Sequence, residues 1–214
     1  MPPAFPDSGP RTVLEADLRL EDALRRVLGF GAAFVPHALD RRFIVRLQRA
    51  IEDGPFETPP QVVGPVRQET EVYRISPGTI PESDHLRRAL TRAVRAQSAG
   101  TRGLATWRPN DVQVQRYRPG GLGITPHLDG KRFRRLVAIF TTRGTARFAI
   151  CRDRSGEVLE EWAAAPGSLI LLRGPGLGGV RDGRPFHLVR GPRRGWRYSI
   201  SYRMIDRKEH PRST

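Results

Sequence analysis

Between residues 112 and 204 the chain is a succession of short strand-like segments. Turn signals recur roughly every eight to twelve residues, and this rhythm restricts the fold more than any other feature. Residues 112–118 (VQVQRYR) alternate apolar and polar, which sets Gln113, Gln115 and Tyr117 on one face. A Pro-Gly-Gly turn follows, and the chain re-enters at Gly123-Ile124-Thr125. Segments 136–142 and 145–151 flank an Arg-Gly turn, 157–163 and 168–173 come next, and 186–189 and 196–204 close the series. No β-α-β alternation interrupts them, which argues against a doubly wound sheet. The pattern predicts an all-β sandwich or barrel core.

Upstream, residues 17–28 and 39–51 have helical periodicity, the second with Phe43, Leu47 and Ile51 on one stripe. Residues 31–36 read as a strand entering the fold, 66–76 (VRQETEVYRIS) alternate like a strand, and 84–99 form a basic amphipathic helix. These helices are expected on the outside of the β core, giving one domain over 16–206. Residues 1–15 are proline-rich without an apolar run and are expected to be a mobile arm. They are neither basic nor apolar enough for a signal peptide. The charged tail 207–214 is expected to fray.

No stretch is long enough to span a membrane, so no membrane partner is expected. The single cysteine, Cys151, excludes an intrachain disulfide and reads as a small buried apolar residue. A reducing cytoplasm is the expected compartment. The glycine cluster at 174–179 lacks the Lys-Ser/Thr of a P-loop and reads as a lid or turn.

The chemistry-bearing residues sit inside the β-rich half. His127-x-Asp129 places an imidazole and a carboxylate on one face of a strand, and His187 follows sixty residues after the first histidine. Two nitrogens and one oxygen on one side of a metal leave the other side open, the arrangement of non-haem Fe(II) oxygenases. A His-x-Asp alone would arise in about one such chain in four from ordinary composition, so the pair needs its context. A capping histidine and a half-buried strand histidine are the competing readings. The last strand supplies the context. In RYSISYR, Arg197, Ser199, Ser201 and Arg203 point one way and Tyr198, Ile200 and Tyr202 the other. That hydrophilic face could meet water or line a pocket, where an Arg with a Ser two positions on can hold a carboxylate.

The order His127-x-Asp129, His187, Arg197-x-Ser199 resembles the Fe(II)/2-oxoglutarate-dependent dioxygenases. The resemblance implies a mainly β fold with flanking helices around a double-stranded β-helix (jelly-roll, cupin-like) core. It implies Fe(II) on His127, Asp129 and His187, with 2-oxoglutarate and dioxygen as co-substrates and Arg197 and Ser199 on the far carboxylate. Within that superfamily the chain is most similar to the AlkB-like branch. The matching features are Gln115 and Tyr117 on the strand before the metal motif, the Pro-Gly turn, the Gly167-Ser168-Leu169 strand entry and Arg203 six residues after Arg197. This adds Tyr117, Arg203 and Gln115 as expected 2-oxoglutarate contacts. Three features depart from the branch. Gln115 replaces its usual Asn, the stretch from Tyr117 to His127 is one residue longer, and Arg197 follows His187 more closely, as in small-molecule oxygenases.

The formal net charge is +15, carried almost wholly by arginine. A surplus of that size favours a polyanionic partner, DNA or RNA. Arg132, Arg134 and Arg135 follow the metal motif, and Arg190, Arg193 and Arg194 follow the second histidine, where phosphates could be held. Tyr73 and Phe133 are candidates for stacking on an extracted base, and Arg135 or Arg74 for gripping a substrate carboxylate. Three functions follow: a dealkylase or hydroxylase of nucleic-acid bases, a hydroxylase of a free amino acid, peptide or secondary metabolite, and a non-catalytic basic nucleic-acid-binding jelly roll. Oligomeric state is not legible.

Overall fold

The computed structural model describes residues 12–98 and 100–206; the tail expected at 207–214 and most of the arm expected at 1–15 lie outside the described residues. Residues 12–15 are seated by a bridge between Leu14 and Leu39 and by a Glu15 N–H to Ala38 carbonyl bond of 3.1 Å.

In chain order the elements are α1 (Glu21–Phe30), β1 (Ala32–Val35), α2 (Arg41–Ile51), β2 (Val62–Val63), β3 (Val66–Arg67), β4 (Glu71–Ile75), α3 (Pro81–Ala96), β5 (Asp111–Tyr117), β6 (Gly123–His127), β7 (Leu136–Arg143), β8 (Ala146–Cys151), β9 (Val158–Ala164), β10 (Leu169–Arg173), β11 (Phe186–Arg190) and β12 (Arg197–Arg203). A six-stranded sheet runs β1-β10-β7-β12-β5-β4 and a four-stranded sheet runs β6-β11-β8-β9, with β2 and β3 as a separate hairpin. Every pairing is antiparallel.

Side-chain parity divides the core into two layers. The three helices cover one face of the six-stranded sheet, where Leu24, Phe43, Leu47, Leu86 and Leu90 pack on Val114, Phe140, Leu169, Leu171 and Ile200. The opposite face meets the four-stranded sheet, and Val137, Ile170 and Leu172 pack there with Phe148, Ile150 and Val189. Leu169 to Leu172 are all within 1 % of complete burial, because β10 is covered on both faces.

The helices differ from expectation at their ends. α2 is capped by Asp40, whose carboxylate accepts the Phe43 N–H at 2.8 Å, so the expected span 39–51 loses its first two residues. α3 starts at Pro81, whose ring presets φ for the first turn. It stops before Gln97, whose side chain accepts the Leu20 N–H at 2.5 Å and donates to the Leu18 carbonyl at 3.2 Å.

The span 66–76 is two strands, not one. Val66–Arg67 lies against β6, with the Arg67 N–H donating to Thr125 Oγ1 at 2.9 Å, whereas Glu71–Ile75 pairs with β5. The chain crosses from one sheet to the other between them, and alternation alone cannot show a change of partner. None of the described helices is long and apolar enough to cross a membrane.

Candidate active site

β6 and β11 are neighbours in the smaller sheet, and their register sets His127 directly opposite His187. Gly123 makes this possible: its φ is +82°, and a Cβ there would lie 2.0 Å from the Val189 carbonyl oxygen. Asp129 lies two residues beyond the end of β6. One ligand atom from each of His127, Asp129 and His187 falls within 4.8 Å of the others, with ring centroids 4.3 Å apart for the two imidazoles.

Each imidazole is oriented by a backbone carbonyl two residues earlier. His127 Nδ1 lies 2.9 Å from the Thr125 oxygen and His187 Nδ1 lies 3.1 Å from the Pro185 oxygen. A carbonyl only accepts, so each Nδ1 donates to it and Nε2 is the ring nitrogen left to face the cluster. Phe148 stacks on His187 at 5.3 Å and 9°, fixing its plane. Burial, reinforced by His127, pushes the His187 pKa down to about 4, so the ring is neutral near pH 7.

The facing wall comes from the larger sheet. Along β12, Arg197 pairs with Tyr117 and Ser199 with Gln115 on β5, while Ser199 also pairs with Thr141 on β7. Arg197, Tyr117, Ser199 and Gln115 line, with the three candidate ligands, a cavity of about 60 Å³ that also holds Arg203 and the apolar Ile124, Val137, Ile139, Phe148 and Val189. Arg197 is 1 % exposed. Its guanidinium donates to Ser199 Oγ at 3.4 Å and Thr141 Oγ1 at 3.2 Å and stands 5.3 Å from the Tyr117 ring centroid. Its Nε has no partner, and no carboxylate among the described residues pairs with it. Burial lowers the Arg197 pKa and raises that of Tyr117, leaving the phenol a neutral donor.

Other predicted residues are placed differently. Arg203 lines the cavity, but it is neutralised by Asp111 at 2.6 Å, bonds Gln113, and lies over the Phe133 ring at 4.2 Å. Phe133 is therefore 5 % exposed beneath Arg203 and presents no free face for a base. Tyr73 pairs with Val114, so it points to the helix side and packs edge-on to Phe56 at 5.9 Å. Its neighbour Arg74 takes the cavity side, opposite Gln113. Arg135 bonds the Gly103 carbonyl at 3.1 Å and Thr106 instead of the cavity. Arg190, Arg193 and Arg194 line a separate groove of about 580 Å³ with Arg147. They stand at the end of β11 away from His187, roughly 10 Å along the strand. Thr141 is the residue that the sequence reading missed: it does not line the cavity but reaches the site through Arg197, and its signal was parity with the cavity residues Val137 and Ile139 on β7.

The donor set fits an Fe(II) centre: two imidazoles whose Nδ1 atoms are tied to backbone carbonyls and one carboxylate, clustered on one side of a cavity. The orphaned Nε of a buried guanidinium fits an anionic co-substrate beside it.

No family model matches the sequence, and no curated protein does. Solved structures do match in fold. A prolyl-4-hydroxylase from Pseudomonas putida superposes with a TM-score of 0.59 at 16% identity, covering 87% of this chain and 99% of that one. A 2OG-Fe(II) oxygenase family oxidoreductase from Burkholderia pseudomallei gives 0.61 at 15% identity, covering 87% and 91%. The protein OsALKBH1 gives 0.58 at 16% identity, covering 81% and 96%. The chain therefore has the double-stranded β-helix fold of these oxygenases.

Proposed function

We propose that the chain is an Fe(II)- and 2-oxoglutarate-dependent dioxygenase that hydroxylates a substrate C–H bond. One observation carries the reading: His127, Asp129 and His187 converge beside a buried Arg197 that has no anionic partner. Bound Fe(II) with 2-oxoglutarate and dioxygen supplies an oxidant, as decarboxylation yields succinate and carbon dioxide and one oxygen atom enters the substrate.

The protein's own part is to hold and orient. His127 and His187 offer Nε2 lone pairs in fixed planes, and Asp129 adds the negative charge. Arg197, held by Thr141, grips the far carboxylate of 2-oxoglutarate with Ser199, while Tyr117 stays protonated and donates a hydrogen bond. Apolar Val137, Ile139 and Val189 keep water from competing, which strengthens the charge-assisted bonds in the cavity.

For the substrate we favour an alkylated nucleic-acid base, whose N-methyl group once hydroxylated collapses to formaldehyde and a free amine. The net charge of +15 supports this reading. A second reading, hydroxylation of a carboxylate-bearing amino acid, peptide or metabolite, is supported by Arg74. That residue is on the cavity face of β4, its side chain is 61% exposed, and it pairs with Asp111 at 3.1 Å. Single-stranded DNA and RNA affinity measured against salt separates the two, since a phosphate-held partner gives a steep salt dependence and a small acid does not.

The reaction itself is tested on the wild type and the double variant His127→Ala/Asp129→Ala. The wild type should bind one iron and convert 2-oxoglutarate to succinate, and the variant should do neither. Stoichiometric iron and succinate formation in the variant would refute the assignment.

A further inference from the structure

We infer that residues 182–185 form a strap that positions two of the three metal ligands at once, with Arg184 as its positioning residue. The inference rests on the metal-centre reading above and deepens it.

Arg184 comes from the glycine-rich loop between β10 and β11, and its side chain is only 7% exposed. Its Nε donates to Asp182 Oδ1 at 2.8 Å and its NH2 group to Asp182 Oδ2 at 2.7 Å, a two-pronged fork that fixes the guanidinium plane. The remaining arm donates to the main-chain carbonyl of Asp129. The next residue, Pro185, gives the carbonyl that orients the His187 ring. One short segment therefore holds the backbone of the carboxylate ligand and the plane of an imidazole ligand.

The strap is itself pinned. A Cβ at Gly183 would lie 2.9 Å from Cδ and Nε of Arg173, so any side chain there would have to displace this arginine. Arg173 is engaged with the Leu28 carbonyl at 2.7 Å and the Leu177 carbonyl at 3.3 Å. The charge arrangement also suits a cation site. A bare guanidinium beside a divalent ion would repel it, and Asp182 cancels that charge while leaving one N–H free for Asp129. Outer partners of this kind fix ligand geometry, and their loss weakens metal binding by roughly 10–100-fold.

The test uses Co(II) alone as the probe, titrated into the metal-free protein and read by its d–d absorption bands. Wild type should bind one Co(II). Arg184→Gln should weaken binding at least about tenfold and shift the bands. Asp182→Asn should act in the same direction, and Arg184→Lys should recover part of the loss. Arg152→Gln, which breaks the exposed Arg152–Glu157 pair of 2.8 Å, serves as the control and should change nothing. Melting of the metal-free proteins reports folding; if Arg184→Gln does not fold, Asp182→Asn and Arg184→Lys decide. Folded variants with wild-type affinity and bands would overturn the strap and leave the metal centre standing. A wild type that takes up no Co(II) would overturn the metal centre, and the strap with it.

Discussion

The two faces of the larger sheet are buried to the same degree and built from opposite chemistry. On the helix face, Val114, Phe140, Leu169, Leu171 and Ile200 meet an apolar layer. On the cavity face, β12 and β5 present Arg197, Ser199, Ser201, Arg203, Gln113 and Tyr117, all less than 9 % exposed. Burial of polar groups costs free energy unless partners satisfy them. Arg203 has that satisfaction within the chain, through Asp111. Arg197, six residues away on the same strand, does not. Equal burial with unequal satisfaction separates a residue that completes the fold from one that awaits a ligand.

Substitutions on the two faces should therefore fail in different ways. Phe140→Ala on the helix face removes a fully buried ring set edge-on to Tyr202 at 6.2 Å, and should cost about 3–5 kcal/mol of stability. Urea denaturation of the metal-free protein measures it, and affinity for 2-oxoglutarate in the fraction that folds should be unchanged. Arg197→Met should do the reverse. It replaces an unpaired buried charge with an apolar chain of similar length, so the urea midpoint should hold or rise, while 2-oxoglutarate affinity falls about a hundredfold or more. If Arg197→Met instead destabilises the protein as Phe140→Ala does, with binding intact, the two faces are alike and Arg197 is structural.

The helix face is also the part that was most legible in the sequence. Alternation and the Phe43, Leu47, Ile51 stripe locate most elements, and His127, Asp129, His187, Arg197 and Ser199 are brought together as expected. What escaped are facts about partners. The span 66–76 alternates throughout yet splits between two sheets, because periodicity encodes faces and not neighbours. Tyr73 falls on the helix side for the same reason: its face follows from its register with Val114. Phe133 is hidden by Arg203, seventy residues away in sequence. Arg184 reaches Asp129 across a loop whose path no local pattern specifies.

The smallest effect is expected at Ser199, and it is the most discriminating within the cavity. The Ser199 hydroxyl accepts from Arg197 at 3.4 Å, a long contact beside the shorter one to Thr141 at 3.2 Å. Removing one neutral hydroxyl from a carboxylate clamp loses about 1 kcal/mol, so Ser199→Ala should raise the KM for 2-oxoglutarate roughly fivefold. Because that carboxylate is remote from the reacting centre, kcat should stay unchanged, and so should the melting temperature of the metal-free protein. Steady-state succinate formation at varied 2-oxoglutarate reads both constants. A fall in kcat at constant KM would move Ser199 from the clamp to the chemistry. An unchanged KM would leave the carboxylate to Arg197, making Ser199 a filler of the cavity wall like Val137 on the neighbouring strand.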